Sequence, residues 1–361
     1  MSEFDYFESA LNVQGGIEQP ASISPYLHLR KRRSRNLQPA SYYVEGILAG
    51  NRVVLSQAIT LIESVNVEHA KLAQEVIEMC MPYAGKSVRV GITGVPGVGK
   101  STFIEAIGKY ITSKGHKLAV LAIDPSSERS KGSILGDKTR MEELSVDANA
   151  YIRPSPSGTT LGGVARKTRE TIILCEAAGF DVIFVETVGV GQSETVVKSM
   201  VDFFLLLMLS GAGDELQGIK RGIMEMADAI VITKADGDNY TKAVAATALY
   251  KSALQLFPPL ESQWKVPVDV CSSTEKTNID RVWRFIEDFV KHTKENGFFE
   301  KQRTEQLIKI FYDWMDYCLK DSFYSDKRVQ LKIEDLESWI KNERITPYQA
   351  ATQVIKLINE G

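Results

Sequence analysis

The sequence predicts an α/β protein: a mostly parallel sheet covered by helices, with helical extensions before and after it. Two observations predict this. From Lys86 to Lys291, short and near-continuously apolar runs alternate with segments of helical spacing, the pattern of parallel strands buried on both faces. Outside that stretch, residues 41–84 and 302–359 carry helical periodicity and no strand-like run.

The elements follow in order. Residues 1 to about 40 are punctuated by Gly15-Gly16, Pro20, Pro25 and Pro39, which predicts an irregular or partly helical lead-in. Within it, Arg30-Lys31-Arg32-Arg33-Ser34-Arg35 reads as a solvated basic face or as a contact for phosphate or an acidic partner. Helical runs come next, ending at Pro82 and Gly85. Strands are predicted at Val88–Thr93, Leu118–Ile123, Asp181–Glu186, Phe203–Leu209, Ala229–Ile232 and Val268–Cys271. Helices fall between most of them, as at Val164–Ala178 and Asn239–Leu256, and Asn278–Lys291 reads as the last core helix. An aromatic-rich helix (Phe311, Tyr312, Trp314, Tyr317) at Gln302–Lys320 and two shorter helices at Leu336–Lys341 and Pro347–Asn359 close the chain. Such an arm outside a complete core is commonly a packing or dimer element. The expected divisions are residues 1–85, 86–292 and 293–361.

Between the first strand and its helix lies Gly94-Val95-Pro96-Gly97-Val98-Gly99-Lys100-Ser101, followed by Thr102. This is G-x-x-x-x-G-K-S in the strand–loop–helix setting that gives the pattern meaning: a P-loop NTPase. The glycines let successive backbone N–H groups curl toward an anion, and the helix adds the positive end of its dipole. Lys100 brings a full charge to the β- and γ-phosphates, and the Ser101 hydroxyl is a ligand for Mg²⁺.

Ligands of parallel sheets gather at the carboxyl ends of strands. Asp124 ends the second strand, Asp137 lies in the polar loop beyond it, and Glu186 ends the third, so all three are candidates to hold Mg²⁺ directly or through its waters. Thr233-Lys234-Ala235-Asp236 follows the fifth strand. An aspartate there accepts from the adjacent N1–H and 2-amino donors of guanine, and adenine would leave it unpaired. The Lys234 stem lies over a base plane. GTPases usually carry Asn at the place of Thr233, which keeps one hydroxyl and loses the amide. The Cys271-Ser272-Ser273 turn is expected to meet the base with backbone N–H groups.

Composition excludes several classes. At 361 residues, 44% hydrophobic and a net charge of −3, the chain has material for one large core and no global bias toward nucleic acid or an anionic membrane. Cys80, Cys175, Cys271 and Cys318 are scattered, against a disulfide framework or a zinc cluster. The acidic N-terminal residues resemble neither a secretory signal nor a transit peptide, and the longest apolar run is too short to span a bilayer. A soluble cytoplasmic protein is expected.

Four segments carry a family resemblance: Asp124 to Ser127, Gly132 to Met141, Glu186 to Glu194 and Gly211 to Lys220. With the P-loop they resemble the MeaB/ArgK-type GTPases of the G3E class, the group of the methylmalonic aciduria type A proteins, strongly over about residues 40–290. The departures are Thr233, and Ser273-Thr274 where relatives usually show Ala-Leu. The resemblance implies GTP and GDP as ligands, and a chaperone role toward an adenosylcobalamin-dependent acyl-CoA mutase. Methylmalonyl-CoA mutase is the default partner, and the role is gating cofactor loading and reactivation. It implies a homodimer through the C-terminal helices. It also implies switch loops at residues 124–137 and 189–194, and a third, mutase-responsive switch at 211–220.

Hydrolysis needs a water held in line and charge neutralised on the γ-phosphate. Val190 stands where a water-orienting glutamine would directly follow the switch glycine, and Gln192 is displaced from it. Slow intrinsic turnover is therefore expected, stimulated by the partner, with Lys220 as the added cation and Asp214 and Gln217 beside it. The alternatives are a metallochaperone GTPase, a phosphotransferase of the ArgK kinase type, and a nucleotide-gated scaffold.

Overall fold

Why the strands are buried on both sides is visible in their alternate residues. Phe203, Leu205 and Leu207 point into one apolar cluster, while Phe204, Leu206 and Met208 point into another. The same split divides Val182 and Phe184 from Ile183 and Val185. A strand with two apolar faces needs helices on both, and each face has them.

The structure is a computed structural model that describes residues 37–123, 141–154, 161–187, 193–211 and 221–359. Seven strands form one sheet: β1 Val88–Gly94, β2 Leu118–Ile123, β3 Ala150–Arg153, β4 Val182–Thr187, β5 Phe203–Met208, β6 Ala229–Ile232 and β7 Val268–Val270. Their order is β3-β2-β4-β1-β5-β6-β7, and every pairing is parallel. The six predicted strands are all present. The seventh, β3, is a short edge strand, and its Ala-Tyr-Ile-Arg sequence gives it neither the length nor the apolar continuity of the others.

Three helices precede the sheet: α1 Ala40–Leu48, α2 Arg52–Glu63 and α3 Val67–Cys80. Asn51 and Asn66 cap α2 and α3, each side-chain oxygen accepting two backbone N–H groups. Their apolar faces join the first cluster together with α6 Leu161–Ala177. The opposite face is covered by α4 Lys100–Ser113 and by α10 Ile279–Glu295, which buries Val282, Trp283, Ile286 and Phe289. The remaining elements are α5 Glu142–Ser145, α7 Ser193–Lys198, α8 Arg221–Glu225 and α9 Tyr240–Leu254.

The chain ends in α11 Phe298–Ser325, α12 Lys327–Lys341 and α13 Pro347–Asn359. Helix α12 begins well before the predicted Leu336, because Asp326 caps it by accepting from Arg328 N–H and its early turns are mostly polar. Val329, Leu336, Ala350 and Val354 give α12 and α13 a small core of their own. Along α11 only Phe299 and Gln306 are buried. The arm is fixed at its start: Arg303 donates to both oxygens of Asp202 at 2.8 Å and to the Gly85 and Ser87 carbonyls.

Candidate nucleotide site

Strand β1 lies mid-sheet, between β4 and β5, so the turn after it opens where the chain's crossovers diverge to either side. Gly94 is in register with Leu207, and a Cβ on Gly94 would stand 2.5 Å from the Leu207 carbonyl oxygen; only glycine fits. Gly99, with φ +91°, is the left-handed residue that turns the loop into α4. Val98 is fully buried in the core, which pins the loop from beneath.

Lys100 opens α4 and folds back over the loop, donating to the Gly94 carbonyl at 2.8 Å and the Val95 carbonyl at 3.4 Å. Burial pulls its pKa down, and the charges of Glu186 and Glu194 oppose that shift. Both acids are themselves buried, at the end of β4 and on α7. Glu186 is in register with Ile92 of β1 and Ala122 of β2, and beside it Thr187 shares a 2.8 Å hydrogen bond with Thr93. The phosphate end thus gathers a lysine, two carboxylates and the half-buried Ser101. Glu194 has no role in the sequence reading, although it closes the segment that starts at Glu186. Its place on a short helix that brings it back toward Lys100 is a tertiary fact.

The donors here are hydroxyl and carboxylate oxygens, the chemistry a hard divalent cation such as Mg²⁺ takes. Ser101 and Glu186 are the predicted ligands that fall among the described residues. Asp124, Asp137, Gln192, Asp214 and Lys220 lie outside them, as do Val190, Gln217 and the basic run at 30–35.

The residues predicted to meet a base fall at a cleft of about 220 Å³, lined by Val98, Gly99, Thr102, Thr233, Lys234, Asp236, Ser273 and Thr274. Lys234 is held in left-handed backbone at φ 55°, and Asn239 donates to its carbonyl at 2.6 Å. The Lys234 stem crosses the loop, with its Cε 3.9 Å from where a Cβ of Gly99 would be. Asp236 Oδ2 accepts from the Ser272 hydroxyl at 2.7 Å and the Thr274 hydroxyl at 3.1 Å. Thr233 does not reach the aspartate. It is buried, and its hydroxyl donates to the Val98 carbonyl at 2.7 Å.

Of the Cys271-Ser272-Ser273 turn, Ser273 alone lines the cleft. Cys271 N–H is donated to Ile232 in the sheet and Ser272 N–H to Thr277, so neither is left to meet a base. Ser272 acts instead through its side chain.

Comparison with known proteins agrees with this geometry. The profile of the family "Methylmalonyl Co-A mutase-associated GTPase MeaB" matches residues 55–327. The chain belongs to the MeaB family. As a MeaB-family GTPase it is similar to GTPase ArgK of Escherichia coli K12, at 43% identity over 309 residues, covering 86% of this chain and 93% of that one. It is likewise similar to the mouse "Methylmalonic aciduria type A homolog, mitochondrial", at 43% identity over 321 residues, covering 86% and 77%. Among solved structures, that of an LAO/AO transport system kinase superposes with a TM-score of 0.69 at 36% identity, covering 89% of this chain and 97% of that one. The P-loop NTPase fold and the guanine-nucleotide reading follow from this membership. No described helix is long and apolar enough to cross a membrane.

Proposed function

We propose that this MeaB-family GTPase is a Mg²⁺-dependent chaperone of an adenosylcobalamin-dependent acyl-CoA mutase, with methylmalonyl-CoA mutase as the default partner, acting in the cytoplasm as a homodimer. The observation that carries the reading is the family match, which spans the P-loop, the acids facing it and the base cleft. In this reading the mutase holds the cobalamin and the GTPase gates its loading.

Lys100 neutralises charge at the β- and γ-phosphates, and Ser101 and Glu186, with Asp124 and Asp137, hold the metal. The cation, when bound, offsets phosphate charge as it develops. Lys100 is kept poised by Glu186 and Glu194, whose charges sustain its protonation against burial. Asp236 selects guanine and Lys234 covers the base. Lys220, with Asp214, Gln217 and Gln192, is proposed to complete hydrolysis when the partner reorders their loops.

Two measurements test this. GTP turnover is compared with and without the purified mutase, in wild type and Lys220→Ala. Unchanged stimulation in the variant would remove Lys220 from the mechanism, and no stimulation of wild type would remove the partner. Lys100→Ala is expected to lose turnover entirely.

A second reading takes its support from the kinase description of the similar solved structure: transfer of the γ-phosphoryl group to a protein. Labelled γ-phosphate appearing on protein rather than as inorganic phosphate would favour it.

A further inference from the structure

The hydrogen bonds around Asp236 divide the base end unevenly. Oδ2 takes two hydroxyl donors, Ser272 from the buried side and Thr274 from the cleft. The two hydroxyls lie 3.1 Å from each other, and Ser272 Oγ also accepts Glu275 N–H at 3.1 Å. Each hydroxyl has one hydrogen. With the Ser272 hydrogen on Asp236, that of Thr274 goes to the same carboxylate or to Ser272. Either way Thr274 closes a three-member network that fixes the carboxylate plane. From β6, Thr233 contributes nothing here, its hydroxyl being spent on Val98 and Met208 carbonyls. A carboxylate reading two adjacent donors on one base edge is sensitive to its own rotation, so whatever holds the plane sets the discrimination.

We propose that Thr274 is a positioning residue for base selection: it holds Asp236 from the cleft side so that both carboxylate oxygens meet the N1–H and 2-amino donors of guanine together. This rests on Asp236 being the guanine reader. Removing one hydroxyl donor to a half-exposed carboxylate should weaken binding roughly five- to tenfold. The loss should be largest for a base offering two donors.

The test measures dissociation constants of the full chain for GDP, inosine diphosphate (which lacks the 2-amino group) and ADP. Thr274→Val, which keeps the shape, is expected to loosen GDP about five- to tenfold. It should shrink the GDP-to-IDP preference and leave ADP unmoved. Thr274→Ser should restore both, and in an Asp236→Ala background Thr274→Val should add nothing. Thr274→Ala serves if the valine variant fails to fold. Wild-type GDP affinity and GDP-to-IDP preference in Thr274→Val would overturn the proposal, as would an equal loss for ADP. Wild type binding ADP as tightly as GDP would overturn the guanine reading itself.

Discussion

The Thr233 hydroxyl donates to the Val98 carbonyl oxygen across 135 residues of sequence, at 2.7 Å and fully out of solvent. It ties the end of β6, from which the candidate base-reading segment departs, to the P-loop. The two halves of the nucleotide site are thereby one mechanical unit.

Thr233→Val should break that unit while keeping its volume. A buried carbonyl loses a donor, which costs about 1–2 kcal/mol. The midpoint of urea unfolding is expected to fall with no change in slope, and GDP affinity to weaken. Thr233→Ser should recover both. A valine variant with the wild-type midpoint would show that the bond contributes nothing net.

Arg303 predicts how the arm is held. Asp202 is fully buried, and Arg303 supplies it with a bidentate guanidinium, only 17% exposed, while Arg89 N–H donates to it from β1. Arg303→Ala leaves that carboxylate buried beside a single amide donor, at a cost of about 3 kcal/mol. Arg303→Lys should rescue little, since an ammonium cannot reproduce the fork. Thermal unfolding measures the loss. Hydrogen exchange should show amides at the start of α11 deprotected more than those of β1. Protection lost evenly along the chain would argue against a local joint.

Acid sensitivity follows from Glu176. Burial raises its pKa, but the Arg89 charge and hydrogen bonds from Arg89, Ser87 and Gly85 outweigh it and hold the carboxyl below its ordinary 4.5. The Lys109 hydrogen bond likewise leads in drawing the part-buried Asp147 down to about 2. A carboxyl depressed in the fold stabilises it above its unfolded pKa, and that contribution drains away as pH falls through the folded value. Stability should therefore fall from about pH 4.5 downward. Asp228 has the opposite sign, burial raising its pKa against Lys198, so its penalty eases as pH falls. Glu176→Gln should be less stable at neutral pH and show a flatter acid limb. Unfolding midpoints at about pH 7 and about pH 4 measure the difference. An unchanged slope would remove Glu176 as the titrating group.

How much of this was legible depends on the range of the interaction. The P-loop was readable because its chemistry is local: glycines, a lysine and a serine at fixed spacing between a strand and a helix. Six strands were readable because double-sided burial makes them continuously apolar. Edge strand β3 was not, since one neighbour demands little of four residues. Asp236 could be singled out as a candidate to read the base, but not the hydroxyls that hold its carboxylate, because Ser272 and Thr274 come from the end of another strand. Arg303, 101 residues from Asp202, carried no signal beyond one arginine in a charged helix. Glu194 was in view without a role for the same reason.

Helix α11 leaves an apolar face in solvent. Ile308, Tyr312, Met315 and Leu319 recur at alternating spacings of four and three, which sets them on one face of the helix. They are 52%, 57%, 40% and 62% exposed. On another side the same helix is occupied: Arg166 of α6 lies 5.1 Å from the ring centres of both Trp314 and Tyr317, and Arg169 pairs with Asp313 at 3.0 Å. The arm is thus docked on its own core by one side and offers a seam with coiled-coil spacing on another. The proposed dimer would place a second copy of the helix along that seam. Tyr312→Glu with Leu319→Glu places charges along the seam without touching the Arg166 or Arg169 contacts. Sedimentation equilibrium at micromolar concentration should find wild type as a dimer and the double variant as a monomer, with near-wild-type circular dichroism. GDP affinity should hold as well, since no residue of the seam lines the cleft. A double variant that sediments as a dimer would place the interface elsewhere.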